Sequence, residues 1–165
     1  MTRVFDNFVY LLTFTQAVVK NDFYVSTDKS MLDTGMIFDF LSNRSYWAAG
    51  RSRQAVESSI LNSLCFGVFD RRGGQVGFAR VVTDYAVFAW ILDVFILESH
   101  RGLGLGKLLL QEITAHPQLQ DLKWGLETKD AHGLYEQFGF RPLSAPQDMM
   151  RKPRSGSGAP ADRHG

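Results

Sequence analysis

The stretch DVFILESHRGLGLGKLLLQEITA, from Asp93 to Ala115, decides the fold of this chain. A run of β-forming residues, Phe88 to Leu97, leads into a glycine loop, and a helical pattern follows at once. Its apolar residues recur at helical spacing, which predicts one buried face: Leu105, Leu108, Leu109 and Ile113. The first turn of a helix leaves backbone N–H groups unpaired, and glycine lets ligand oxygens approach them closely. The stretch therefore predicts an anion-binding loop, of a kind that most often holds a pyrophosphate.

Two familiar phosphate loops do not fit this spacing. A P-loop needs Gly where Arg101 stands and Ser or Thr where Leu108 stands. The dinucleotide fingerprint needs G-x-G-x-x-G, whereas the glycines here are spaced G-x-G-x-G. What fits is R-x-x-G-x-G, at Arg101, Gly104 and Gly106. A turn that merely caps the helix would need neither three glycines nor the flanking cations Arg101 and Lys107.

Composition indicates one globular domain that does not bind nucleic acid. The chain has 165 residues, of which 45% are hydrophobic, and a net charge of +1. Residues 151–165 carry four cations against one acid, so residues 1–150 have no basic excess for a nucleic-acid partner. The single cysteine, Cys65, excludes an internal disulfide and a multi-cysteine zinc site, and we expect no metal. A reducing, cytoplasmic compartment is the expectation.

The first 22 residues are expected to form an N-terminal extension. Its apolar run, Phe8 to Val19, is too short to span a bilayer, so we expect no membrane association. The run could serve as the apolar region of a signal peptide, but only Arg3 precedes it and Asp6 cancels that charge. A helix that packs on the domain, or on a second copy, is the favoured interpretation.

The remaining pattern predicts a mixed α/β order of elements. The elements are a strand at Phe23–Thr27, helices at Asp33–Leu41 and Arg53–Ser63, antiparallel strands at Leu64–Asp70, Gln75–Thr83 and Ala86–Leu97, the helix after the glycine loop, a parallel strand at Leu122–Thr128, a helix at Ala131–Phe138 and a strand at Phe140–Leu143. Asp93 is the one charge in the last antiparallel run, so it is either hydrogen-bonded structure or chemistry. From Ser144 onward the composition predicts a flexible tail.

The glycine loop and the later stretch DAHGLYEQFGF, Asp130 to Phe140, resemble two motifs of the GNAT N-acetyltransferase superfamily. The resemblance covers residues 23–143. It implies a central mixed sheet, mostly antiparallel with a splayed parallel pair, flanked by about four helices. It also implies acetyl-CoA as cosubstrate and a primary amine of a small molecule as acceptor, by direct attack in a ternary complex.

The resemblance assigns roles to particular residues. Tyr135 matches the family's usual general acid, although Tyr135 as a purely structural core residue is the alternative. Asp93 or Glu127 is the expected base, directly or through water, unless the amine is captured already deprotonated. The residues expected to bind acetyl-CoA are Val94, Phe95, Ile96, Arg101, Gly102, Leu103, Gly104, Leu105, Gly106 and Lys107. The residues expected to contact the acceptor are Tyr46, Trp47, Asp84, Phe88 and Trp90.

Three other interpretations stay open from the sequence. The chain could bind CoA without catalysis, as a sensor or interaction module, or it could acetylate a protein amine. The third interpretation is a nucleotide-binding protein. The acceptor is not identified by these patterns, because specificity resides in the loops. A homodimer is an open expectation, since members of the superfamily frequently dimerise.

Overall fold

The computed structural model describes residues 19–20 and 22–152, which contain a six-stranded sheet. The strands are β1 Val19–Lys20, β2 Phe23–Ser26, β3 Leu64–Asp70, β4 Gly73–Thr83, β5 Phe88–Ile96 and β6 Lys123–Gly125. They lie side by side in chain order. Each neighbouring pair is antiparallel except β5 and β6, which are parallel. The predicted fold class, a mixed and mostly antiparallel sheet with one parallel pair, is confirmed.

Within the described residues, four α-helices flank this sheet. They are α1 Thr34–Asp39, α2 Arg53–Leu61, α3 Leu105–Ala115 and α4 His132–Glu136. Side chains cap the first two: Asp33 Oδ1 accepts from the Met36 N–H at 2.8 Å, and Ser52 Oγ accepts from the Ala55 N–H at 3.2 Å. A π-helical turn, Phe40–Arg44, extends α1 and turns the chain toward the loop before α2.

The two faces of the sheet are covered by different helices. The face predicted for α3 is buried against one side, with Leu105, Leu109 and Ile113 at most 2% exposed. On the other side, α1 and α2 cover a second cluster. There Phe40 stacks on Phe95, with ring centroids 3.9 Å apart. The sheet is therefore the middle layer, and any cleft has to open at its ends or edges.

The middle of β5 is irregular in a way that matters for function. Arg80 of β4 pairs with Leu92 and Phe78 pairs with Phe95, so two residues of β5 lie opposite one residue of β4. The two residues of this bulge are Asp93 and Val94, opposite Ala79, and Asp93 has φ +53°. The pairing of β5 with β6 ends at Trp90 and Gly125. Among the described residues, the rest of β5 has no strand on that side.

Two predicted elements differ from the structure near the C-terminal end. The predicted strand Phe140–Leu143 is wrong, because no strand forms there. Phe140 instead packs edge-on against Trp124 and Tyr135, with centroids 6.2 and 5.9 Å away. The predicted strand Leu122–Thr128 is shortened to β6, since its pairing with β5 ends at Gly125.

Parts of the terminal predictions lie outside the described residues. These are residues 1–18 and 21 of the predicted N-terminal extension, which include all of the predicted helix except Val19 of β1, and residues 153–165 of the predicted tail. Residues 144–152 are described and include a 3₁₀ turn, Pro146–Asp148. The predicted boundaries at residues 22 and 143 stay predictions. Between residues 19 and 152, excluding the undescribed residue 21, no helix combines the length and apolar character needed to cross a bilayer.

Candidate active site

The glycine loop presents unpaired backbone amides at the start of α3. The first hydrogen bond entering the helix runs from the Leu108 N–H to the Gly104 carbonyl at 3.1 Å. No acceptor among the described residues takes the N–H groups of residues 102–107, and no side chain caps the helix. Gly102 and Gly104 have φ of +77° and +75°, a region that favours glycine. Unpaired amides at a helix N-terminus suit an anion, and anion binding at this loop stays a prediction.

The two cations of the loop are placed differently. Arg101 folds back along the end of β5, where its Nε donates to the Ile96 carbonyl at 3.2 Å. Its Nη2 lies 3.4 Å from Glu98 Oε1, and more than half of the side chain is exposed. Lys107 is exposed on the first turn of α3. Both side chains are accessible to a phosphate bound at the loop.

The unpaired edge of β5 points at the gap left by β6. The Leu97 N–H donates to the Val76 carbonyl at 2.8 Å, so the peptide group of Leu97 faces β4. Since successive peptide groups of a strand alternate, those of Val94 and Ile96 face the gap. Phe95 differs from the prediction: it pairs with Phe78 of β4, and its side chain is buried beneath α1 and α2. Its expected contact with CoA does not fit this position.

A cavity of about 1250 Å³ opens beside this gap. That volume is large enough for an acceptor together with part of a long cosubstrate. Most of the residues predicted to react or to bind the acceptor line it: Tyr46, Trp47, Phe88, Trp90, Asp93, Glu127 and Tyr135. Val94, a residue predicted to bind acetyl-CoA, lines it as well. The structure thus brings together side chains from four separate stretches of the sequence. The glycine loop lies outside the lining, at the surface.

Tyr135 reaches the cavity from α4. The helix packs over the start of α3, where a Cβ built on Gly106 would lie 3.6 Å from Leu134 Cδ2. Tyr135 itself is 8% exposed. Burial, followed by the nearby Tyr46 and Asp130, raises the pKa of the Tyr135 phenol to about 12. The phenol is consequently a proton-bearing donor throughout the neutral range.

Asp93 is held by two arginines. Arg51 Nη1 and Arg80 Nε each donate to Asp93 Oδ2 at 2.6 Å, and the carboxylate side chain is 1% exposed. Burial by itself raises the pKa of this carboxyl, but the hydrogen bonds and charges of Arg51 and Arg80 outweigh it and lower the pKa below its ordinary value. A carboxylate so held is a poor proton acceptor. The expectation that Asp93 is the base does not fit these contacts.

The carboxylates of Glu127 and Asp84 lie at the surface, unlike the buried carboxylate of Asp93. Glu127 follows β6, is about half exposed and forms an ion pair with Arg151. Asp84 Oδ1 accepts from the N–H groups of Val87, Ala86 and Phe88, and these bonds lower its pKa to about 2. Asp84 is not in the cavity lining; its contacts close the turn between β4 and β5. Its predicted contact with the acceptor does not fit this geometry.

The aromatic residues of the predicted acceptor wall are present and partly exposed. Tyr46 and Trp47 are 57% and 42% exposed, and their rings meet edge to face at 5.1 Å. The Tyr46 hydroxyl donates to Asp130 Oδ1 at 3.3 Å. Trp90 covers Gly125 so closely that a Cβ there would overlap its ring. These rings give the cavity a broad apolar surface.

Sequence reasoning missed two further parts of the cavity lining. These are Arg51 and residues 143–145 and 148–151. Arg80 offered a usable signal, because it and Asp93 are the only charges in two neighbouring apolar strands. Antiparallel pairing would have placed them together. No local pattern marks Arg51, which joins the cluster from a loop 42 residues away.

Comparison with known proteins identifies the class. A model of the GNAT acetyltransferase domain matches residues 62–142. A protein of Gibberella zeae, named as a candidate acetyltransferase, is 31% identical over an alignment of 118 residues, and the match covers 61% of this chain and 67% of that protein. A crystal structure from Xanthomonas campestris pv. campestris, assigned to the GNAT family, is 46% identical with a TM-score of 0.77; the match covers 82% of this chain and 95% of that one.

The fold is shared more widely than the sequence. Glucosamine-6-phosphate N-acetyltransferase from Arabidopsis thaliana is 15% identical with a TM-score of 0.56, over 80% of this chain and 98% of that one. At that identity the likeness concerns the fold alone. Taken with the family match and the higher-identity relatives, the chain is an acetyltransferase. It belongs to the GNAT family of N-acetyltransferases.

Proposed function

We propose that this chain transfers the acetyl group of acetyl-CoA to a primary amine of a small molecule, by direct attack in a ternary complex. The observation that carries the proposal is the set of unpaired amides at residues 102–107, next to a β5 edge that faces a large cavity. An amide nest at a helix N-terminus fits a pyrophosphate. An open strand edge fits the amide groups of a pantetheine arm.

The chain's own residues suit such a cosubstrate at several points. The amides of residues 102–107 and the side chains of Arg101 and Lys107 would hold the pyrophosphate. The peptide groups of Val94 and Ile96 would pair with the pantetheine arm. When bound, acetyl-CoA supplies an activated acetyl thioester. A strand edge without a neighbouring strand exposes a row of unpaired N–H and C=O groups, and a ligand bound along that edge can form hydrogen bonds with them.

Val94 is proposed to stabilise the developing charge. The bulge at Asp93 and Val94 follows the end of the parallel pair at Trp90, and a bulge ordinarily bends the strand that carries it. An N–H group aimed at the carbonyl oxygen of the thioester gains strength as negative charge grows there. Removing one such donor from an enzyme typically costs about 3–4 kcal/mol of barrier lowering.

The amine is proposed to enter already deprotonated. Asp93 is ion-paired with Arg51 and Arg80, and Glu127 is exposed and ion-paired with Arg151, so neither is poised to remove a proton. A neutral amine bound from solution can attack the carbonyl carbon directly. It then loses its proton to water as the C–N bond forms and the C–S bond breaks.

Tyr135 is proposed as the acid for the leaving thiolate. A phenol with a pKa of about 12 remains protonated and can donate a hydrogen bond to sulfur. Thiols ordinarily have a pKa of about 8.5, which would make full transfer unfavourable in water. Burial narrows this gap, because it raises the pKa of a thiol as well; the buried Cys65 has a pKa of about 11 for this reason. Solvent then returns a proton to the phenolate.

An acceptor screen tests the proposal. Acetyl-CoA is mixed with the protein and a panel of amines, and free thiol is measured over time. Amine-dependent thiol release with matching formation of the acetylated amine is the expected result. Binding of CoA without release on any amine would support a non-catalytic module instead. Release only with peptides or proteins would point to a protein amine as the acceptor.

A further inference from the structure

The buried cluster formed by Arg51, Asp93 and Arg80 carries unequal charge. Two guanidinium groups share one carboxylate oxygen, Asp93 Oδ2, at 2.6 Å each. No other described carboxylate lies within the 4.0 Å ion-pair distance of either arginine. The side chains of Arg80 and Asp93 are 11% and 1% exposed. The cluster thus retains a net positive charge in a poorly solvated place, where charges are ordinarily paired.

Arg51 brings that charge to the cavity. Its side chain is 21% exposed and lines the cavity, whereas Arg80 does not line it. Only Nη1 of Arg51 is used by Asp93. The Nε and Nη2 groups have no partner among the described residues. The side chain of Arg51 is therefore held in place through Nη1, and its other N–H groups remain available to a ligand.

The backbone at Arg51 is fixed as well. The Arg51 N–H donates to the Ala48 carbonyl at 3.0 Å, and the Ser42 hydroxyl donates to the Arg51 carbonyl. The same loop carries Tyr46 and Trp47, which line the cavity. An arginine whose backbone and guanidinium group are both hydrogen-bonded before the ligand arrives loses little conformational freedom on binding, which favours affinity. Its planar fork matches the two oxygens of a carboxylate.

We propose that Arg51 binds a carboxylate of the acceptor, so that this enzyme acts on amines that also carry a carboxylate, such as amino acids. The inference rests on the acetyl transfer proposed above and names its substrate class. Asp93 and Arg80 are positioning residues: they hold the guanidinium and do not touch the acceptor. The rings of Tyr46, Trp47 and Trp90 accommodate the apolar side chain of such an acceptor. A positive Arg51 also disfavours a cationic amine that has no compensating carboxylate.

The test compares acceptors that differ only in the negative charge. Phenylalanine, tryptophan and leucine are each paired with their own carboxamide, and kcat/KM is measured for wild type and Arg51→Gln. For each pair, kcat/KM for the acid is divided by kcat/KM for the amide, and this ratio, the preference for the acid, is compared between wild type and Arg51→Gln. The intrinsic reactivities of the two amines are the same for both enzymes and therefore cancel in the comparison. We expect that substitution to lower this preference by about tenfold or more, through KM. Arg51→Lys keeps the charge but not the fork, and it should restore part of the preference.

Lys123→Gln is the matched control, because Lys123 is an exposed cation that also lines the cavity. It should leave the preference unchanged. An equal loss on acids and amides in Arg51→Gln, or a wild type without any preference for acids, would overturn the inference. If no amine is acetylated, the acetyl-transfer proposal fails by itself. Calorimetric titration of phenylalanine into the CoA-saturated protein then decides the inference: Arg51-dependent binding supports it, and binding that ignores Arg51 overturns it.

Discussion

Asp93 Oδ2 lies 2.6 Å from Arg51 Nη1, although the two residues are 42 positions apart in the chain. This contact fastens the loop in front of α2 to the bulge of β5. It joins the wall that carries Tyr46 and Trp47 to the strand whose edge faces the cavity. The ion pair therefore fixes the position of the proposed acceptor wall relative to the strand that is proposed to bind the cosubstrate.

Asp93→Asn is expected to destabilise the fold by about 3 kcal/mol, because it leaves two guanidinium groups partly buried without a counter-charge. Urea unfolding measures the free energy of unfolding of the variant and the wild type. Glu57→Gln is the control, since Glu57 pairs with Arg53 at an exposed helix position and should contribute little. A variant as stable as wild type would show that the cluster does not support the bulge.

The same cluster predicts the direction of the pH dependence. The pKa of Asp93 is lower in the folded state than the value of about 3.9 expected in the unfolded chain. Its contribution to stability is therefore fully present above about pH 4–5 and is lost as the pH falls through the folded-state pKa. Unfolding free energies measured between pH 7 and pH 3 should fall less steeply for Asp93→Asn than for wild type.

Tyr135→Phe is expected to lower kcat by about a hundredfold, in the range reported for loss of a general acid. Affinity for acetyl-CoA should change little, since the ring remains and only the hydroxyl is removed. Steady-state kinetics give kcat, and calorimetry gives the affinity. A fully active Tyr135→Phe enzyme would leave Tyr135 as a core residue that packs against Phe140.

The acidic limb of the pH–rate profile should follow the acceptor and not the enzyme. If the amine is captured deprotonated, the limb in kcat/KM shifts when the pKa of the acceptor amine is changed. Glu127→Gln should then reduce the rate only slightly, because Glu127 is exposed and paired with Arg151. A limb that stays fixed across acceptors and disappears in Glu127→Gln would identify Glu127 as the base.

Gly104→Ala is expected to weaken binding of CoA by about tenfold or more, as one main-chain donor to the phosphate is misdirected. Gly104 has φ +75°, and alanine in that region costs about 1–2 kcal/mol. Gly73→Ala is the control for adding a methyl group to a glycine outside the loop, because a Cβ at Gly73 meets no atom within 4 Å and Gly73 is the first residue of β4. Calorimetric titration compares the three proteins. Equal affinities would exclude the loop as the binding site.

The parts of the fold that local patterns encode could be predicted from the sequence. The glycine loop and the buried face of α3 depend on residues within one or two turns of each other. The absence of a strand at residues 140–143 could not be predicted, because Phe140 packs against Trp124, which lies 16 residues earlier in the chain, as well as against Tyr135. The sequence also did not decide whether Asp93 is structural or catalytic, because its partner Arg51 comes from a separate loop. Long-range pairing of charges leaves no local periodicity.

The most direct test of the acetyl-CoA site compares the whole cosubstrate with its thioester arm alone. Acetyl-CoA and S-acetylpantetheine are titrated into the protein by calorimetry. If the amides of residues 102–107 bind the pyrophosphate, acetyl-CoA should bind at least about a hundredfold more tightly, a difference of about 2.7 kcal/mol. Equal affinities for the two compounds, or no binding of acetyl-CoA, would contradict the account.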